Sequence, residues 1–227
     1  MTNWMNLLPE VFPQVRKTFG VESKVAVGSV PQLHSGVSSG TIIAMKGIKT
    51  EDEVVWTIPS VITKDGLIAE YSLNKKEEVF VYPEYSNDKN IKEKEIFVYL
   101  ISIDPCPGLE ESFELINESQ LTGLLAHELA EIIATDKIGG YHLRITCHGL
   151  SHPEVDKIAV QRGYANQVSS YLKFLLSNVE SIYERPPEIN SFLDMLIATT
   201  SDRERVIQAC RRELEQRICS IGGSTSF

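Results

Sequence analysis

Hydrophobic and polar positions change their spacing about halfway along the chain. Through the first half, short runs rich in β-branched and aromatic residues recur: KVAVGSV (24–30), GTIIAM (40–45), EVVWTI (53–58), GLIAEYSL (66–73) and EEVFVYP (77–83). Gly, Pro, Ser and Asn-Asp separate them, which is the pattern of strands joined by turns. The intervals are too short for helical crossovers, so hairpins are expected. HSGVSSG (34–40) reads as a loop and YSNDKNIKEKE (85–95) as a charged surface loop. EIFVYLISID (95–104) is almost continuously apolar, as a strand buried on both faces would be.

The second half follows the helical period. In NESQLTGLLAHELAEIIATDKIGG (117–140), Leu124, Leu125, Leu129, Ile132 and Ile133 mark a face to be buried. Asn117 or Ser119 is placed to cap this helix and Gly139-Gly140 to close it. YHLRITC (141–147) reads as a short return strand, and residues 152–184 as helical with a division near Gly163. Residues 186–220 supply one or two further helices before a frayed tail, IGGSTSF. The expected fold is therefore α+β within a single domain, 1–227. A β-rich region covers about 21–104 and a helical region about 109–220.

Composition narrows the function. With 227 residues the chain is long enough to bury a proper core. Its net charge of −9 repels phosphates, which argues against nucleic acid or an anionic membrane as partner. The N-terminal MTNWMNLLPEVFPQV has no basic leader, and its short apolar run is broken by Pro9 and Pro13. It is expected to be neither a signal peptide nor a membrane span. The four cysteines form no C-x-x-C pair, so they are expected to be reduced thiols in a cytoplasmic protein.

The chemistry concentrates in GLLAHELAEII (123–133). His127 and Glu131 are four residues apart, so on a helix an imidazole and a carboxylate converge on one point. Glu128 lies one residue on, about 100° round the axis. A metal bound there would have a carboxylate beside it, free to take a proton from a coordinated water. A catalytic zinc needs three protein ligands and one open position. The segment CHGLSHPEVDKIAVQRGY offers His148, His152, Glu154 and Asp156 as further donors. The plain alternative for His152 is an exposed residue at a helix start, with Ser151 as cap and Pro153 in the first turn. Glu154 could equally serve the helix dipole.

Taken together, His127-Glu128-Leu-Ala-Glu131 and His152-Pro-Glu-Val-Asp156-Lys-Ile-Ala-Val-Gln-Arg-Gly163 resemble the gluzincin branch of the zinc metallopeptidases. The likeness is greatest to soluble-type relatives of the CAAX-prenyl protease family. Those proteins carry H-E-x-x-H and a second helix reading E-x-x-x-D, often followed by A-(V/A)-x-x-G. Here Glu131 stands where the second histidine would be, and His152 where the glutamate would be. Two opposite exchanges keep the total at two histidines and one carboxylate. The resemblance spans roughly residues 93 to 164.

The resemblance implies a zincin-like active-site helix against a mixed sheet. It implies a Zn2+ ion on His127, Glu131 and His152, with Glu154 and His148 as further possibilities. Glu128 is then the catalytic residue that activates the bound water, and Asp156 orients His127. The substrate would be a peptide or protein, bound as an added strand beside residues 97–103 if that strand lies at the sheet edge. His148, Tyr141 or Arg144 would stabilise an oxyanion. Two other readings stand beside it. One is a non-catalytic protein-binding module on the same fold, with or without structural metal. The other is an iron centre built on two histidines and one carboxylate.

Overall fold

The computed structural model describes residues 3–21, 25–29, 40–49, 54–62, 68–72, 79–81, 95–103, 109–137, 150–183 and 200–222. The chain opens with a helix, α1 (Asn3–Phe19), although Pro9 and Pro13 lie inside it. Trp4, Leu8, Val11, Phe12, Val15 and Phe19 recur at the helical period and are all buried. The period therefore decides the structure, while Pro9 is left on the outer side, exposed.

Six strands follow: β1 (Val25–Gly28), β2 (Gly40–Lys49), β3 (Val54–Ile62), β4 (Ile68–Ser72), β5 (Val79–Val81) and β6 (Glu95–Ile103). They form one sheet in the order β4-β3-β2-β6-β1-β5. β1 pairs with β6 in parallel, and the other neighbours are antiparallel. The helices that follow are α2 (Glu110–Glu114), α3 (Glu118–Lys137), α4 (His152–Gln161), α5 (Ala165–Ser177), α6 (Val179–Tyr183) and α7 (Thr200–Ser220). The break between α4 and α5 falls at Gly163, whose φ of 92° suits glycine.

The expected division into a β-rich first half and a helical second half is overturned. The described chain is mostly helical, and its first 17-residue element is a helix that packs with the later ones. The prolines in the N-terminal segment obscure a helical repeat that the burial of its apolar side supports. The short strand segments do occur where the spacing puts them. They form one layer within a largely helical protein.

A second correction concerns β6. It pairs with β2 from Gly40↔Ile103 to Ile48↔Glu95 and with β1 on its other side. Val98, Tyr99, Leu100, Ile101, Ser102 and Ile103 are all buried. From Tyr99 to Ser102 both hydrogen-bonding edges are occupied, so β6 is an interior strand there and cannot take a substrate as an added strand.

One hydrophobic core joins β1, β2 and β6 to the helices. It includes Val25, Val27, Ile42, Tyr99 and Ile101 from the sheet, and Leu124, Leu125 and Leu129 from α3. Leu214 and Ile218 bring α7 into the same cluster. α3 lies at its centre: every residue from Gly123 to Ala130 is buried. Asn117 caps α3 by accepting from Gln120 N (3.0 Å), and Asn117 N donates to Gln120 Oε1 (2.9 Å).

α3 and α5 approach so closely that a Cβ on Gly123 would collide with the Gln167 carbonyl oxygen. Backbone cannot give way as a side-chain tip can. Gly123→Ala is therefore expected to lower stability by about 1–3 kcal/mol despite alanine's better helix propensity, measured by chemical denaturation.

Among the described residues, no helix is long and apolar enough to cross a membrane. Residues 34–39 and 85–94, expected to be loops, the segment 141–147, the Gly139-Gly140 pair and residues 223–227 lie outside the described residues, as do His142 and His148.

Candidate metal centre

The burial of α3 changes what its polar residues mean. On a helix with one wet side, a histidine and two glutamates need no explanation. Here His127 is 6% exposed and Glu128 4%, and buried polar groups are costly without partners. Glu131 is half-buried at the edge of the group.

His127 Nε2 faces Glu131 Oε1 at 3.5 Å, as the i,i+4 spacing dictates. Its other ring nitrogen, Nδ1, lies 2.8 Å from Asp156 Oδ1 on α4. Nδ1–H donates to that carboxylate, so the neutral ring keeps its lone pair on Nε2, towards Glu131. Asp156 is fully buried and has a second partner, Arg217 of α7. Arg217 Nε donates to Asp156 Oδ2 at 2.8 Å, and its Nη2 donates to Oδ1 at 3.1 Å.

His152 sits at the first turn of α4, after Ser151 as N-cap. It is exposed, and its ring stands 5.7 Å from that of His127, centroid to centroid. His152 Nδ1 lies 2.7 Å from Glu213 Oε1 on α7. Each histidine thus has a carboxylate on Nδ1, which leaves Nε2 available.

The consequence is a donor set drawn from two helices. His127, Glu131 and His152 each offer one ligand atom, and these atoms lie within 4.8 Å of one another. Ligand atoms around a tetrahedral ion with bonds of ~2.0 Å stand about 3.3 Å apart. The His127–Glu131 separation already approaches that value, so a modest turn of the exposed His152 would complete the group. Two imidazole nitrogens and one carboxylate oxygen suit a divalent transition ion. The residues fit a metal, and their identity alone does not select zinc.

Glu154 is not in this group. Its Oε2 accepts from Ser151 N and Ser151 Oγ, both at 2.8 Å. These hydrogen bonds at the helix start hold its carboxyl below the usual range. The sequence offered it as a third ligand; the structure uses it as a helix cap. Tyr141, Arg144 and His148, offered as oxyanion donors, lie outside the described residues.

The electrostatics follow from burial and neighbours. Burial alone would lower the pKa of His127, but its hydrogen bonds with Asp156 and Glu131 outweigh that and raise it to about 9. Burial, and then the Glu131 charge, push the Glu128 carboxyl up, to about 8. Burial would also raise Asp156, yet its bonds from His127 and Arg217 bring it down to about 2. Without an ion, His127 carries a proton that metal binding must displace.

Glu128 packs against the start of β2. A Cβ on Gly40 would lie 2.5 Å from Glu128 Oε1 and 3.0 Å from Leu124 Cδ1. A glycine there makes room for the carboxylate at the sheet. Sequence reasoning did not single out Gly40, Glu213 or Arg217. The two charged residues sit in SDRERVIQACRRELEQR, which reads as an ordinary solvated helix with i,i+4 ion pairs.

Comparison with known proteins adds no neighbour: no family model matches this chain, and neither a curated protein nor a solved structure does.

Proposed function

We propose that this chain is a zinc-dependent hydrolase that cleaves peptide bonds in a peptide or protein substrate, in the cytoplasm. The observation that carries the reading is the meeting of His127, Glu131 and His152, with ligand atoms within 4.8 Å of one another, beside a buried carboxyl that is not one of the three. Two histidines, one carboxylate and an open fourth position make the donor set of many hydrolytic zinc sites. When bound, the ion would acidify water and polarise the scissile carbonyl.

The remaining work belongs to the side chains. Glu128 takes the proton from the attacking water and returns it to the departing amine as the C–N bond breaks. Its burial supports this role, because a carboxyl titrating near neutrality accepts and donates readily. A nearby cation would bring that pKa down again, favouring the proton-accepting form. Asp156 holds the His127 ring so that Nε2 is the nitrogen presented to the ion.

Elemental analysis of the purified full chain, paired with a peptide-cleavage assay, tests the reading. About one zinc per chain, with cleavage that a chelator stops and zinc restores, is the expected result. Zinc without cleavage of any peptide in a diverse library would favour the binding-module reading. Iron at the same stoichiometry would favour the redox reading, and no metal would reject all metal-dependent readings.

Gly40→Ala gives a sharper check. The added methyl displaces the Glu128 carboxylate, and the three atoms nearest to it belong to Glu128 and Leu124, not to a donor. Misplacing a catalytic group by about 1 Å costs on the order of 10²-fold. The expected result is a fall of that order in kcat with zinc content unchanged, read by steady-state kinetics and elemental analysis on the same sample.

A further inference from the structure

We infer that the C-terminal helix α7 completes the metal site, with Glu213 as the positioning residue for His152 and Arg217 as the positioning residue for His127, acting through Asp156. The inference rests on the metal-site reading and extends it to a helix outside the segments that supply the donors.

Glu213 and Arg217 are one helical turn apart and so lie on one side of α7. Leu214 and Ile218, each one residue further on, are buried in the core. Their burial fixes the rotation of α7, and that rotation turns Glu213 and Arg217 towards α4. Both reach it: Glu213 Oε1 at 2.7 Å from His152 Nδ1, and Arg217 Nε and Nη2 at 2.8 and 3.1 Å from the Asp156 oxygens.

The two contacts differ in kind. Arg217 is buried and grips the carboxylate with two donors, so the Asp156 plane is fixed and Oδ1 stays on His127. Losing the fork frees that carboxylate to rotate. Glu213 and His152 are half-exposed, with side chains 51% accessible each. An exposed pair of this type contributes little to stability. It does hold the first-turn ring with Nδ1 on the carboxylate, which leaves Nε2 for an ion. Partners of this kind set ligand orientation and basicity, and their removal costs roughly 10- to 100-fold in metal affinity.

The test uses the full chain stripped of metal, titrated with Co2+ alone, and with Zn2+ in competition with a chelator of known affinity. Variants are Glu213→Ala and Arg217→Lys; the second keeps the charge and gives up the fork, because the alanine form leaves a buried carboxylate unpaired. Wild type is expected to bind one Co2+ with the intense visible bands of a four-coordinate site. Glu213→Ala should lose roughly 10- to 100-fold in affinity while the metal-free melting temperature stays unchanged. Arg217→Lys should weaken binding and shift the cobalt bands.

Equal affinities and identical spectra in wild type and both variants, with wild type loaded one to one, would overturn the positioning roles and leave the metal site standing. An affinity loss in Glu213→Ala that merely follows a collapse in melting temperature would overturn them too. If wild type binds neither ion, the metal-site reading itself falls, and this inference with it.

Discussion

Glu128→Gln is expected to abolish hydrolysis while leaving the metal in place. Glutamine matches glutamate in shape, so the close packing against Gly40 is kept. It cannot accept a proton, and general-base assistance is worth roughly 10²–10⁴-fold. The fall should appear in kcat with zinc content at the wild-type level, because residue 128 is not among the converging donors. Thermal stability should not suffer. The native carboxyl is buried and is pushed up first by that burial and then by Glu131, so the site already favours a neutral group and accommodates a neutral amide. Full activity in Glu128→Gln with zinc bound would remove Glu128 from the reaction.

Asp156→Ala is expected to do the reverse: damage the fold and the metal site together. Asp156 is fully buried and joins three elements, through His127 on α3, its own helix α4 and Arg217 on α7. Truncating it leaves the buried Arg217 guanidinium without its carboxylate, a change that costs about 3–5 kcal/mol. It also frees the His127 ring, at roughly 10- to 100-fold in metal affinity. Denaturant titration of the metal-free protein measures the first loss and chelator competition the second.

The pH dependence of that stability has a definite sign. The Asp156 pKa is depressed from 3.8 to about 2 in the folded protein. Its contribution is therefore complete above the ordinary carboxylate value and disappears as pH falls through about 2. Wild type and Asp156→Ala should converge in stability at the acid end. A constant gap down to pH 2 would mean that packing, rather than charge, carries the difference.

Local spacing made part of the centre legible. His127 and Glu131 are one turn apart on a strong helix, and H-x-x-x-D on the next helix brings His152 and Asp156 forward. Those pairs depend on a single period, which a sequence displays directly. Glu213 and Arg217 were not legible. Each is 61 residues from its partner, and Leu214 and Ile218 give no hint that their neighbours turn inward. The two readings left open for Glu154 have a similar origin: a carboxylate three residues after a serine serves a helix start or an ion equally well until the fold assigns it. At the N-terminus the two prolines hid a helix whose buried positions, from Trp4 to Phe19, follow a regular repeat. Which strand of a sheet is interior depends on pairings between distant segments, and the sequence of β6 alone could not reveal that both its edges are taken.

The most direct test is a crystal structure of the zinc-loaded protein with anomalous scattering recorded at the zinc edge. One peak is expected, about 2.0–2.2 Å from Nε2 of His127, Nε2 of His152 and a carboxylate oxygen of Glu131. A peak held by other residues, or none between α3 and the start of α4, would contradict the account.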